Sequence, residues 1–478
     1  MDSLSPKSGQ TLAEVGSRIA LLTPYTGGNL GDAAIQDAVI ANLRLHLPKA
    51  QFSGITLSNE NFIERHGTNA FPLCATNTRF YAMSHRAIAG QAAPQLPQTG
   101  NRLWLLGRLK DVLKQVPGLL AFWKNLRRWA LIIPQELLHL IRGYRFLRHQ
   151  DILIVSGGGQ LDEGWGGPWG HPFALCKWCL LARLARVPSA FVSVGTGKIK
   201  SPLCRLFLSL ALRLASYRSY RDENAKKVAT SLFNAVAKDP VVPDLAFSLP
   251  DSTWPANAGL RLLSGNRTIV AISPIAYAKP GSWPFSDSAL HERYLEQMAK
   301  ILSQLAKRDC FLVMVWSSLG DDESVIPEIL RRLDDVAGEK LSHQVHLPKI
   351  STWQDFSSVL REVDFLVASR LHSTILGFVS QRPALAISFN PKVDELMKFL
   401  NQTDYLFQIN NFVAEDVISA FDRLRLSKES ISEQLGASRQ EILYDLNRQY
   451  DAVVQLAMAG RDHRIEGRLH SFPAFRQS

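Results

Sequence analysis

Apolar runs of four to six residues alternate with longer stretches of helical periodicity through most of the chain. This is the pattern of a parallel sheet covered by helices. In the first half the runs are Ile19–Thr23, Asp151–Val155 and Ala190–Val194; in the second they are Thr268–Ile272, Phe311–Val315, Val363–Ala368 and Ala384–Ile387. Each set predicts one doubly wound, Rossmann-like domain, so the expected fold is α/β with two such domains facing a cleft. Residues 243–265 break the pattern with Pro, Ser, Asn and Gly, which places an interdomain linker at 248–266. The expected layout is a flexible terminus at 1–16, a first domain at 17–247 and a second at 267–426. A helix at 427–460 then packs back across the domains, and a flexible tail follows at 461–478.

A chain of 478 residues, 46% hydrophobic and 20% charged, is long enough to bury more than one core. Its start lacks a basic region followed by an apolar one, and no run of about 18 apolar residues is free of charge. The five cysteines are odd in number and lie mostly in apolar stretches. Together these features predict a protein of the reducing cytoplasm. Cys176 and Cys179 have redox-motif spacing, but their helical apolar setting predicts core packing.

Charge adds a second theme. The excess of 54 Lys and Arg over 43 Asp and Glu gives +11, which favours anionic partners such as a phosphorylated substrate, a membrane surface or nucleic acid. Residues 101–150 hold ten of those cations against two acids, Asp111 and Glu136. This basic insertion is helical in pattern but broken by Gly107, Pro117, Gly118, Pro134 and Gly143. Trp104, Phe122, Trp123, Trp129, Tyr144 and Phe146 interleave with its cations, a composition shared by helices that lie at a bilayer interface beside anionic lipid and by insertions with a solvated basic face. Peripheral attachment to the inner face of the plasma membrane is therefore one expectation. No nucleic-acid-binding module accompanies the charge, so nucleic acid is set aside.

Candidate chemistry collects at strand ends, where open α/β sheets bind ligands and helix N-termini favour anions. Ser369-Arg370-Leu371-His372-Ser373 follows the Val363–Ala368 run and sets a fixed cation two residues from an imidazole. Lys392 follows the next strand, and Arg221-Asp222 follows a short strand in the first half. Two glycine-rich loops, Gly27-Gly28-Asn29-Leu30-Gly31-Asp32 and Ser156-Gly157-Gly158-Gly159, end strands of the first domain. Neither loop has the spacing of a nucleoside-triphosphate or dinucleotide fingerprint. Asp32 reads equally as a helix cap or as a site carboxylate. Three cationic or ionisable groups, Arg370, His372 and Lys392, at neighbouring strand ends suit an anionic ligand.

These motifs, in this order, together with Pro383, resemble those of the polysaccharide pyruvyl transferase family over roughly Ile19 to Leu400. The resemblance implies a fold like that of the GT-B glycosyltransferases. It also implies transfer of the pyruvyl unit of phosphoenolpyruvate to sugar hydroxyls as a ketal, in the assembly of exopolysaccharide or cell-surface glycan; a nucleotide-sugar-dependent glycosyltransferase of the same fold and a non-catalytic glycan-assembly protein are the alternative readings. Phosphoenolpyruvate is then a donor substrate, no further cofactor is implied, and the acceptor is a sugar or lipid-linked oligosaccharide. On this basis His372 is the expected acid or base and Asp32 the group that orients or deprotonates the acceptor. Arg370, Arg221 and Lys392 hold the anionic donor, with Asn29, Ser373 and the backbone of Gly157, Gly158 and Gly159 also at the substrates. The basic stretch at 101–150 lies outside the shared pattern and reads either as an adaptation to a lipid-linked acceptor or as a helical insertion packed on its own domain with a solvated basic face.

Overall fold

The computed structural model describes residues 16–25, 27–75, 119–250, 259–280 and 287–469, apart from the side chains of 119–132, Ala235 and 466–469. The first domain runs β1 (Arg18–Thr23), α1 (Leu30–His46), β2 (Gln51–Thr56), α2 (Asn59–His66), β3 (Ala70–Pro72) and α3 (Leu119–Leu147). It continues with β4 (Ile152–Ser156), α4 (His171–Leu184), β5 (Ser189–Val194), α5 (Pro202–Leu214), β6 (Tyr217–Tyr220) and α6 (Glu223–Leu232). Its six strands pair in parallel in the order β3-β2-β1-β4-β5-β6.

The second domain begins with α7 (Leu260–Ser264), β7 (Thr268–Ser273), α8 (Ser288–Ala306), β8 (Cys310–Met314), α9 (Ile326–Ala337) and α10 (Trp353–Glu362). β9 (Phe365–Ala368), α11 (Leu371–Val379), β10 (Ala384–Ser388), α12 (Pro391–Phe399), β11 (Leu406–Gln408), α13 (Ala414–Leu426) and α14 (Lys428–Leu469) complete it. Its parallel sheet has the order β11-β10-β9-β7-β8. All seven predicted strands form.

Both faces of each sheet are covered, which is why the strands read as unbroken apolar runs. Successive side chains still alternate between layers. Ile19, Leu21, Ile152 and Ile154 join a core that continues without a break into the second domain, whereas Ala20, Leu22, Leu153 and Val155 pack in a separate core under α3, α4 and α5. β2 escapes the pattern because Gln51-Phe52-Ser53-Gly54-Ile55-Thr56 looks polar. Gly54 is required there: a Cβ would stand 2.7 Å from the Phe62 ring.

Four expectations change. α3 runs through Pro134 and Gly143 instead of breaking at them. Gly143 allows a close approach to α4, since a Cβ would lie 3.2 Å from Leu181 and Trp178. Of the aromatic residues expected at an interface, Tyr144 and Phe146 pack inward on the second core, and Phe146 stacks on Phe71 at 5.0 Å between centroids. Trp104 and the side chains of Phe122, Trp123 and Trp129 lie outside the described residues.

The start of the Pro- and Ser-rich stretch is core, not linker: residues 242–249 are all buried, and α7 lies inside 248–266. Finally, α14 extends through the expected tail as far as Leu469. Arg464 from its last turns pairs with buried Asp151, while Gln449 bonds Ser193 and Tyr450 bonds Ser248 at 2.9 Å. The helix thus crosses from the second domain onto α1, β1 and β4 of the first. The domains also share main-chain bonds, Leu30 N–H to Ser317 O at 2.9 Å and Leu319 N–H to Gly28 O at 2.8 Å. Such bonds contribute about 1 kcal/mol each and fix the relative position of the two strand-end rims.

Candidate active site

The carboxyl ends of β1, β4 and β6 face those of β9 and β10 across a cavity of about 210 Å³. Its walls include Asn29, Asp32, Gly158, Gly159, Asp162 and Arg221 from the first domain. From the second come Ser317, Arg370, His372, Asn390 and Lys392.

Asn29 is the N-cap of α1: its Oδ1 accepts the N–H groups of Gly31 at 3.0 Å and Asp32 at 3.4 Å. Asp32 is therefore not the cap, and its carboxylate faces the cavity from the first turn. Burial pushes its carboxyl up and Asp244 adds to this, while His372, Lys392 and Arg221 oppose the rise. Gly157 and Gly158 have φ of 43° and 64°, a left-handed backbone that accounts for glycine at both. Gly158 stands close to Asp32, and Gly159 close to Lys392: Cβ atoms there would be 3.5 Å and 3.3 Å from the respective side-chain tips.

Arg221 follows β6, and its N–H extends the ladder to Val194 O at 3.1 Å. Its guanidinium is buried over Gly195, where a Cβ would be 2.7 Å from Nη2. Nη1 donates to Asp244 Oδ2 at 3.3 Å and Nε to Asp222 Oδ2 at 3.4 Å, whereas buried Nη2 has no hydrogen-bond partner. Such a donor is costly to leave unmade, and it lines the cavity. Asp222 caps α6 through Ala225 N–H at 2.7 Å.

β9 delivers Arg370 and His372 to the opposite wall, with His372 in the first turn of α11. Arg370 forks onto fully buried Asp322, with Nε to Oδ2 at 3.0 Å and Nη2 to Oδ1 at 2.7 Å. That pairing leaves Nη1 and a side chain still 25% exposed as what it can offer a ligand. The His372 side chain packs against Gly31, where any Cβ would overlap it. Its Nε2 lies 3.8 Å from Asp244 Oδ2, too long for a hydrogen bond but close for charge. Lys392 sits in the first turn of α12 behind the Asn390 cap. Burial and then Arg221 push its amine down, against Asp162, Asp222 and Asp32. A bound anion would counter that effect.

Of the residues expected at the substrates, His372, Asp32, Arg370, Arg221, Lys392, Asn29, Gly158 and Gly159 line the cavity. Gly157 and Ser373 do not. Gly157 donates its N–H to Val192 O at 2.8 Å, so it cannot serve an anion, and its Cα is covered by Ile35 and Leu245. Ser373 points to the other side of its helix, where its hydroxyl bonds Ser273 at 2.8 Å and Ser317 at 3.0 Å. Glu163 accepts the N–H groups of Lys200 and Ser201, both at 2.8 Å, and so braces a loop.

Two carboxylates escaped the sequence reading. Asp322 holds Arg370, and Asp244 stands between Arg221 and His372, tying the two walls together. Burial pushes the Asp244 carboxyl up, but His372, Arg221 and the Ala246 N–H outweigh it and hold the group at about 2. A carboxylate with its folded value below the unfolded one stabilises the protein above about pH 4. That contribution is lost as pH falls through about 2. The shift corresponds to roughly 2 kcal/mol. Urea midpoints measured from pH 6 down to pH 3 should therefore fall more steeply for the wild type than for Asp244→Asn; parallel profiles would show that Asp244 carries no such linkage.

The fold and cavity define a GT-B-like protein of two Rossmann domains with a cationic site between them. A candidate UDP-N-acetylglucosamine 2-epimerase from Listeria monocytogenes superposes with a TM-score of 0.54 at 11% identity, over 92% of this chain and 98% of that one. Another UDP-N-acetylglucosamine 2-epimerase gives 0.53 at 11% identity over 91% and 96%. A UDP-glucose:anthocyanidin 3-O-glucosyltransferase solved with UDP gives 0.51 at 11% over 93% and 100%. At such identities the likeness is one of fold. No curated protein matches the chain. The family model for polysaccharide pyruvyl transferases matches residues 29–391, and the chain belongs to that family of transferases.

Proposed function

We propose that the cavity binds phosphoenolpyruvate and transfers its three-carbon unit to two hydroxyls of one sugar, forming a pyruvate ketal. The observation that supports this most directly is the buried, unpartnered Nη2 of Arg221 in a cavity shared with Lys392 and His372. A donor carrying both phosphate and carboxylate supplies acceptors for that nitrogen, for the Lys392 amine and for the free edge of Arg370.

In the reaction, C2 forms bonds to two sugar oxygens and loses its bond to the phosphate oxygen. C3 gains one proton and becomes a methyl group. The two hydroxyl protons balance this, one replacing the proton given to C3 and the other leaving with hydrogen phosphate. In this reading His372 delivers the proton to C3 and recovers one from an attacking hydroxyl. Asp32, held by the α1 first turn on the facing wall, orients the acceptor. The Gly158 and Gly159 backbone lets substrate approach the sheet edge closely. The acceptor in this reading is a sugar of a lipid-linked oligosaccharide in exopolysaccharide or cell-surface glycan assembly, modified at the cytoplasmic membrane surface.

The test is incubation of the full chain with phosphoenolpyruvate and a panel of oligosaccharide acceptors, following phosphate release and product mass. The expected product is the acceptor plus a pyruvate ketal, with one phosphate released for each transfer. Turnover that requires a nucleotide-sugar instead would overturn the assignment.

A further inference from the structure

α3, α4 and α5 lie side by side over one face of the first sheet, and each leads into the next parallel strand. Their outer surface is apolar where that of a solvated helix layer would be polar. On α3, Ile133, Leu137 and Ile141 stand four residues apart and are 50%, 54% and 51% exposed. Leu180 and Leu184 repeat that spacing on α4, as do Leu206 and Leu210 on α5. Among the described residues, nine of the twenty exposed large apolar side chains are here: four on α3, two on α4, two on α5 and Trp169 beside them. A contiguous exposed patch of this kind marks an interaction surface.

Its charge says what covers it. Because the three helices run to parallel strands, their C-terminal turns share one end of the face. Arg142, Arg145 and Arg148 on and just after α3, with Arg183 and Arg186 at the end of α4, are exposed there. The only acid in the three helices is Glu136, bound at 2.6 Å to buried Lys177. At the opposite end Trp169, Phe173 and Phe207 pack with centroids 5.5 Å apart. From Trp169 the chain leads back through Trp165 to Gly159, both in the cavity wall. An apolar plane with a cationic edge, an aromatic edge and no free acid fits the headgroup region of an anionic bilayer.

We propose that the outer face of α3, α4 and α5 docks on an anionic lipid bilayer and holds the cavity mouth beside it. The surface belongs to the whole helix layer, not to the basic stretch at 101–150 alone. Only the further step, that the acceptor is carried by lipid, rests on the proposed transferase reading.

Sedimentation of the full chain with phosphatidylcholine vesicles, with and without phosphatidylglycerol, tests it. The wild type should pellet with the mixed vesicles, less so at high salt, and poorly with phosphatidylcholine alone. Leu137→Glu and Leu184→Glu, both exposed, should each weaken binding about tenfold. Equal partitioning of wild type and double variant would overturn the proposal. So would a dimer in sedimentation velocity that the same substitutions dissolve, since a second copy would then cover the face. Phosphate release with a water-soluble acceptor, measured on the same samples, should be unchanged by the two substitutions. Its absence from the wild type while vesicle binding persists would remove the transferase reading and leave the docking surface standing.

Discussion

His372→Ala should slow phosphoenolpyruvate-dependent phosphate release by about 10² to 10⁴-fold, the range for loss of a positioned acid or base. The decrease is expected in kcat more than in KM, because Arg221, Lys392 and Arg370 remain to hold the anion. The geometry makes this the largest single effect at the site. Among the described residues His372 is the one imidazole in the cavity wall, it is only 13% exposed, and its Nε2 faces the Asp244 carboxylate across the interdomain boundary. Asp244→Asn should act through it, shifting the pH profile of turnover while retaining more activity than His372→Ala. Stopped assays over a range of phosphoenolpyruvate concentrations and pH values separate the two. Turnover of His372→Ala within about threefold of wild type would remove the imidazole from the chemistry.

Much of this arrangement is legible in the chain, and the part that is not has identifiable causes. β1, β4, β5, β7, β8, β9 and β10 show themselves because each is buried on both faces and reads as an apolar run. Arg221, Arg370, His372 and Lys392 show themselves because they follow such runs, and the ends of parallel strands are where ligands bind. Ser373 misleads for a geometric reason: one residue beyond His372 is about 100° further round the helix, which turns its hydroxyl into the core. Gly157 misleads because a left-handed backbone explains glycine without any ligand. Asp244 is missed because it is a lone acid in an irregular segment, and Asp322 because it stands between Asp321 and Glu323 with nothing in the sequence to single it out; their importance lies in partners more than forty residues away or across the domain boundary. The unbroken α3 and the extended α14 likewise depend on tertiary partners, Trp178 in one case and Asp151 in the other.

Gly31→Ala gives the second large effect, and its sign tests the interdomain geometry. Gly31 lies in the first turn of α1, with no left-handed φ. Helix propensity alone would therefore make alanine better by up to about 1 kcal/mol. The structure requires the opposite, because a Cβ at this position would overlap both the ring and the Cβ of His372. Overpacking of this kind costs about 1–3 kcal/mol, and here the wall carrying His372 must also move. Gly31→Ala should lower the urea midpoint and reduce turnover together. Truncating only the imidazole would not relieve the clash, since the His372 Cβ is itself in the way. Gly31→Ala/His372→Gly should relieve it, so the double variant should be more stable than the sum of the single changes by about 1 kcal/mol or more. Additive losses would mean that the two walls do not meet at these residues, and the cavity would have to be drawn wider than the structure has it.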